Sequence, residues 1–143
     1  MGDGDDVHAI HTLLYRYAEL LDSGEFAGVA ALLADADIIV GGKVVGRGER
    51  FVEQMLTTRV IVHDDGTPRT RHLITNPIVE FDNTDQARGR SCYTVLQPGA
   101  TGIDIVVTGR HHDTFRRVDG RWRFASRDYT FMDFTGDTAN HLR

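Results

Sequence analysis

Two residues, fifty positions apart in the chain, have the chemistry of an acid–base pair. His72 opens a segment of alternating apolar residues, so Ile74, Asn76 and Ile78 should share its face of a strand. An imidazole on an inward face is either a core residue with satisfied hydrogen bonds or a proton-transfer group. Asp22 stands at the end of a strongly amphipathic helix. If the fold joins the two, the carboxylate would orient the imidazole and favour its charged form.

A second histidine lies on the long strand that begins near residue 103. By strand alternation, His111 points inward and His112 points to solvent. His111 either forms a hydrogen bond within the core or lines a pocket, and the sequence leaves both readings open. Asp113 shares the inner face, where we expect it to pair with an arginine such as Arg127. The full inner face predicted for this strand is Ile103, Ile105, Val107, Gly109, His111, Asp113 and Phe115.

Two tyrosines of the first helix could also meet a ligand. Tyr15 is seven residues before Asp22 and therefore has nearly the same azimuth. Tyr17 belongs to the apolar stripe, so its hydroxyl needs a partner, which could be a structural bond or a substrate oxygen. Other residues that could form the wall of a substrate pocket, or plain core, are Phe51, Met55, Asn76, Tyr93 and Trp122.

No pattern in the chain indicates a metal or a cofactor. His8 and His11 stand one turn apart, but an exposed helix face explains that spacing. The glycines do not form a nucleotide fingerprint, and motifs such as HExxH, GxSxG and CxxC are missing from the sequence. Cys92 has no base predicted beside it, so a nucleophilic role is not expected. We therefore predict neither a metal nor a cofactor.

Composition excludes several classes of function. The 143 residues are 41% apolar and 26% charged, which fits one globular domain spanning residues 1–143. A net charge of −5 argues against nucleic-acid binding. No apolar run approaches the roughly 20 residues needed to cross a bilayer, and the acidic first residues do not resemble a secretory signal. A single cysteine fits a reducing compartment, so we expect a cytoplasmic protein without membrane partners.

The hydrophobic period changes along the chain, from a helical period to the period of two that strands show. The first part predicts a helix through residues 7–21, a shorter helix near 26–33, a hairpin of strands 38–40 and 43–45, and a helix over 48–60. The second part predicts strands near 72–82, 86–97, 103–118 and 121–131, joined by short turns. The result is an α+β fold, a curved antiparallel sheet covered by helices that leaves a conical cavity.

Three segments resemble one known family. Residues 15–26 resemble the first-helix signature of SnoaL-like proteins in the nuclear transport factor 2-like superfamily, which share a cystatin-like cone. Residues 69–76 resemble their first long strand, and residues 109–124 resemble their final hairpin. The resemblance covers nearly the whole chain, in the right order, and implies a cone-shaped barrel with about three N-terminal helices.

The resemblance also implies a set of catalytic residues. Asp22 and His72 fall where scytalone dehydratase, bile-acid 7α-dehydratase and hexachlorocyclohexane dehydrochlorinase pair an aspartate with a histidine. Tyr17 matches a tyrosine that acts in the bile-acid enzyme, and His111 matches a substrate-contacting asparagine of scytalone dehydratase. One departure is Gln97, which stands near the position of a second active-site histidine. Tyr17 or His111 would then donate a hydrogen bond to the substrate.

These features predict a cofactor-independent dehydratase, isomerase or cyclase that acts on a small hydrophobic or polycyclic molecule, such as a polyketide or steroid. The alternatives are a non-catalytic module that binds a hydrophobic ligand or dimerises, and the small subunit of a ring-hydroxylating dioxygenase. Self-association as a homodimer or homotrimer is expected, because related proteins assemble in this way. The outer sheet face predicted for this contact carries Val106, Thr108, Thr114 and Val118.

Overall fold

The computed structural model describes residues 2–143 and consists of three helices against a six-stranded sheet. The helices are α1 (Gly4–Asp22), α2 (Phe26–Leu32) and α3 (Glu49–Arg59). The strands are β1 (Asp37–Val40), β2 (Lys43–Arg47), β3 (Arg71–Asn83), β4 (Gln86–Gly99), β5 (Gly102–Val118) and β6 (Arg121–Thr135). Their order in the sheet is β2-β1-β6-β5-β4-β3, and only the β1–β6 pair is parallel. The predicted α+β fold with a curved, mostly antiparallel sheet and three N-terminal helices is confirmed.

Helix α1 begins and ends at clear signals. Asp3 is the N-cap and forms a reciprocal capping box with Asp6, which satisfies backbone N–H groups at the helix start. Gly24, at φ 74°, follows the helix in the left-handed conformation that glycine adopts without strain. The predicted apolar stripe is confirmed, because Ile10, Leu14, Tyr17, Ala18 and Leu21 are all buried. The helix therefore carries Tyr17 into the core and presents Asp22 at its end.

The hairpin β1–β2 turns at Gly41 and Gly42, as predicted. Both glycines have positive φ, 61° and 77°, as a two-residue turn of this hairpin type requires. Strand β1 then pairs with β6, which joins the hairpin to the long antiparallel meander of the C-terminal half.

A bulge in β3 changes which residues face inward. Asn76 has φ 52°, and the pairing with β4 shifts register between Thr75 and Ile78. His72 and Ile74 are partly buried, but Asn76 and Ile78 are exposed. The prediction that all four share one face is therefore wrong, because the extra residue reverses the alternation. Beyond the bulge, the residues packed against the core are Val79 and Phe81.

A second bulge affects the start of β5. The pairing with β4 shifts register between Val95 and Leu96, and Val106 and Val107 are both buried. Ile103 and Ile105 are 75% and 63% exposed, so their predicted place on the inner face is wrong. Val106 is 3% exposed, so it does not belong to the outer face predicted for self-association. From Val107 to Phe115 the predicted inner face is confirmed.

The main core lies between the three helices and the sheet. Its fully buried members include Ile10, Val29, Ile38, Val52 and Phe124, so every helix contributes. Within residues 2–143, no helix is both long and apolar enough to cross a membrane. In the same residues, no group of three or more His, Cys, Asp or Glu side chains is arranged to hold a metal ion.

Candidate active site

Asp22 and His72 form the predicted pair. The His72 ring nitrogen Nδ1 lies 2.6 Å from Oδ1 of Asp22. The backbone N–H of His72 donates to Oδ2 of the same carboxylate at 2.9 Å, and the Thr70 hydroxyl donates to Oδ1 at 2.8 Å. The end of α1 and the start of β3 thus place one carboxylate against both the backbone and the ring of His72. The imidazole is held in orientation, and its second nitrogen, Nε2, makes no hydrogen bond within residues 2–143.

The surroundings of Asp22 keep it ionised. Burial acts to raise its pKa, but the hydrogen bonds and charge of His72, together with the Thr70 hydroxyl, outweigh that effect and lower the pKa. The side chains of His72 and Asp22 are only 7% and 13% exposed. A partly desolvated carboxylate of this kind fixes the tautomer of the imidazole and stabilises the imidazolium that forms when the ring accepts a proton.

The pair forms part of the wall of an open pocket between α1 and β3, with a volume of about 430 Å³. Tyr15 lines this pocket together with Asp22, as its helical azimuth predicted. The tyrosine is 47% exposed, so it stands near the entrance. The complete lining is Tyr15, Ala18, Glu19, Asp22, Ser23, Arg71, His72 and Ile74. A small organic molecule with one or two rings fits a pocket of this size.

Tyr17, His111 and Tyr93 form a separate buried aromatic cluster, so the predicted donors Tyr17 and His111 are not among the residues that line this pocket. The Tyr17 hydroxyl is 2.7 Å from the Tyr129 hydroxyl. The sequence left open a structural bond or a substrate oxygen as its partner, and this contact is a structural bond. His111 stacks on Tyr93 with ring centroids 4.4 Å apart, and its Nδ1 is buried without a hydrogen-bond partner. Burial lowers the pKa of His111 well below its usual value, and burial raises the pKa of Tyr93 to about 12. The cluster is therefore neutral at pH 7.

A buried ion pair anchors this cluster. Arg127 donates to both carboxylate oxygens of Asp113 at 2.9 and 3.3 Å, which confirms the predicted pairing. The guanidinium carbon also lies 4.1 Å from the centre of the Tyr17 ring, within cation–π distance. Both partners are almost fully buried, so this pair joins β5 to β6, and the contact of the guanidinium with Tyr17 joins both strands to α1.

The other predicted pocket residues lie elsewhere. The Trp122 indole N–H donates to Asp6 at 2.9 Å, and the ring lines a separate groove of about 520 Å³ beside the start of α1. Phe51 and Met55 pack against the main core. Asn76 is the exposed bulge residue of β3. None of these four lines the pocket at Asp22 and His72.

A comparison with protein families identifies the kind of domain that this architecture represents. The sequence model of the SnoaL-like domain matches residues 4–128, which is most of the chain. The chain belongs to the SnoaL-like domain family. The resemblance drawn from its helix, strand and hairpin segments is thereby confirmed.

Solved structures agree with the fold of this SnoaL-like domain. It is similar to a Mycobacterium tuberculosis protein of unknown function, with 25% identity and a TM-score of 0.73 over 97% of this chain and 85% of that one. A Nostoc punctiforme protein with a cystatin-like fold has 20% identity and a TM-score of 0.74 over 93% and 96% of the two chains. A provisionally named scytalone dehydratase from Novosphingobium aromaticivorans has 21% identity and a TM-score of 0.67 over 93% and 90%. No curated protein sequence matches the chain significantly.

One residue beside the pair of this SnoaL-like domain, His141, has no local signal in the sequence. His141 belongs to the C-terminal segment, yet its ring centroid lies 6.0 Å from that of His72. Gln97, the departure from the scytalone dehydratase pattern, is 5% exposed and donates through Nε2 to the Pro68 and Asn140 carbonyls, both at 3.0 Å. Sequence reasoning left His141 unmarked, because a histidine near a chain end carries no periodic pattern.

Proposed function

We propose that this protein catalyses cofactor-independent proton transfer, with elimination of water as the reaction and His72 as the general base. Isomerisation and cyclisation use the same first step and are close variants. The observation that carries the proposal is the bonding of Asp22, whose carboxylate accepts from the Thr70 hydroxyl and the His72 backbone while facing His72 Nδ1. Because Asp22 holds the His72 ring at Nδ1, the second nitrogen, Nε2, is the one left to accept a proton, and the residue lines an open pocket.

The proposed reaction balances without an added group. Nε2 of His72 takes a proton from the carbon next to a substrate carbonyl, and the electrons of that C–H bond form a carbon–carbon double bond. The C–O bond on the neighbouring carbon breaks, and the leaving hydroxide takes the proton back from the imidazolium to form water. Asp22 stabilises the imidazolium between the two transfers. In the isomerase variant, the proton returns to a different carbon.

The proposed substrate is a small hydrophobic compound that carries a carbonyl or hydroxyl group. Ala18, Ile74 and the ring of Tyr15 give the pocket apolar surface, and the pair supplies polar atoms at one side. A fused two-ring ketone matches both this chemistry and the volume of about 430 Å³.

The test uses two probes and the His72→Ala variant. Exchange of the α-protons of 1-tetralone in D₂O, followed by proton NMR, reports the base step alone. Conversion of 3-hydroxy-1-tetralone to 1-naphthol, followed by fluorescence, reports complete elimination. We expect His72→Ala to lower both rates by roughly 10²–10⁴-fold, the usual contribution of a general base. Thermal unfolding should change little, because Asp22 keeps the Thr70 hydroxyl and the backbone N–H as donors.

The matched control is His112→Ala, which removes an exposed imidazole from the outer face of β5. Full activity in His72→Ala would refute the proposal. A wild-type protein that binds both ketones but neither exchanges protons nor releases water would support the alternative, a non-catalytic ligand-binding module.

A further inference from the structure

The C-terminal segment, residues 138–143, is fixed by bonds to several parts of the chain. The backbone N–H of Ile61 donates to the His141 carbonyl, and the Arg143 N–H donates to the Arg59 carbonyl, both at 2.9 Å. The Asn140 carbonyl accepts from Gln97 Nε2 at 3.0 Å and lies 2.9 Å from Nε2 of His63. The segment is held at the end of α3 and at β4, so the position of His141 is defined by the fold.

The ring of His141 has a polar atom that the fold does not use. The residue is 4% exposed, and its Nδ1 is buried with no hydrogen-bond partner within residues 2–143. A buried polar atom without a partner costs stability, whereas a phenyl ring would fill similar space without that cost. Packing alone therefore does not account for an imidazole at this position.

His141 lies next to the proposed base. Its ring meets that of His72 in a tilted edge contact, with centroids 6.0 Å apart and planes at 67°. Burial lowers the pKa of His141 to about 4; the charge of His72 acts in the same direction, and that of Asp22 opposes it. At pH 7 the ring of His141 is therefore neutral. It has one N–H to donate, and it does not compete with His72 for a proton.

We propose that His141, which is buried beside His72 and outside the lining of the open pocket, is a further residue of the active site: a substrate that reaches as far as the His72 ring receives a hydrogen bond on its oxygen from the His141 imidazole. This assignment rests on the proposed function, since it takes the substrate to be an oxygenated ring compound. A neutral donor suits a developing oxyanion, because it stabilises the charge without transferring its own proton. His72 and His141 would then divide the work, one taking the proton and the other holding the oxygen.

The test compares a ketone with its hydrocarbon analogue in the His141→Phe variant. Dissociation constants of 1-tetralone and of tetralin, which lacks the oxygen, are measured by NMR titration of the intact protein. We expect the variant to bind 1-tetralone about tenfold more weakly, the value of one neutral hydrogen bond, and tetralin as well as the wild type does. Thermal unfolding should be unchanged or shifted upward, because the unpartnered nitrogen is gone. His8→Phe, on the exposed face of α1, is the matched control.

Three results would overturn the assignment. Wild-type affinity for 1-tetralone in His141→Phe would show that the ring alone matters. An equal loss for ketone and hydrocarbon would indicate a packing role. A wild-type protein that binds neither probe, or binds both equally well, would show that the ketone oxygen makes no favourable contact with the protein. None of these readouts requires turnover, so a failure of the proposed function at His72 is distinguishable from a failure here.

Discussion

The chemistry of the site depends on how many donors reach one carboxylate. Asp22 accepts from the Thr70 hydroxyl and from the backbone of His72 while it faces His72 Nδ1. Two of these contacts would survive changes to the histidine ring, so Asp22 is fixed independently of its partner. A fixed carboxylate turns a mobile histidine into an oriented base, and its charge matters most when the ring becomes an imidazolium.

Asp22→Asn tests that charge directly. The amide keeps the size of the side chain and one oxygen acceptor, so the variant should fold. It can no longer stabilise an imidazolium, and we expect exchange of the 1-tetralone α-protons to slow by about 10²-fold or more. Asp133→Asn, which alters an exposed carboxylate paired with Arg110, is the control and should exchange at the wild-type rate. An Asp22→Asn protein as fast as the control would contradict an electrostatic role for Asp22.

At the scale of elements, two bulges decide which side chains reach the interior. In β3, the bulge at Asn76 lets His72 and Ile74 face inward before it, and Val79 and Phe81 after it. In β5, the irregularity near Val106 exposes Ile103 and Ile105 while Val107, His111 and Asp113 remain buried. Bulges bend a strand and raise its twist, which is what a strongly curved sheet needs.

The bulge in β3 can be tested at Asn76. Its φ of 52° lies in the left-handed region, which Asn and Gly tolerate and β-branched residues do not. We expect Asn76→Val to lower the free energy of unfolding by about 1–2 kcal/mol, and Asn76→Gly to change it much less. Urea unfolding of the three proteins provides the measurement. Equal stability of the Val and Gly variants would mean that the backbone at Asn76 relaxes freely.

At the scale of the whole molecule, buried histidines make stability depend on pH. Burial lowers the pKa of His111 well below 6.5 and that of His141 to about 4. In the unfolded chain both rings bind protons near pH 6.5, whereas in the folded protein they stay neutral. The unfolded state therefore binds more protons over this range, and stability falls as the pH drops from 7 towards 4. Asp22, whose pKa is lowered from 3.8, contributes stability that is lost only at lower pH.

Urea unfolding at pH 7, 6 and 5 checks this dependence. We expect the free energy of unfolding to decrease steadily across the series, and His141→Phe to show a shallower decrease than the wild type. The difference due to His141 should reach about 2 kcal/mol at pH 5, because its pKa falls from 6.5 in the unfolded chain to about 4 in the folded protein. A wild-type protein with constant stability over this range would show that neither histidine is neutral in the folded state.

Self-association stays a prediction at this scale. The outer face loses Val106 to the core, but the adjoining ends of β5 and β6 expose Ile103, Ile105 and Phe134, the last at 73%. Single exposed apolar residues are ordinary on a protein surface.

Features that repeat with a local period are predictable from the amino-acid sequence. The stripe on α1, the glycine turn of the hairpin and the alternation of the long strands predicted the fold, and they put Asp22 and His72 on elements that meet. The turn at Gly41 and Gly42 is predictable because a two-residue turn depends only on its own backbone angles. Asn76-Pro77 is a local signal for the bulge in β3, since a proline inside a strand marks an edge or a bulge.

The places where this period breaks, and the residues beside Asp22 and His72, depend on tertiary packing. A bulge depends on pairing with a neighbouring strand, so one sequence pattern fits both faces until the register is known. The Tyr17–Tyr129 contact joins residues 112 positions apart, and the approach of His141 to His72 depends on bonds from Ile61 and Gln97. Contacts of this kind have no period along the chain, because they arise only when distant elements pack. The sequence thus predicted the acid–base pair, while the fold determined which residues surround it.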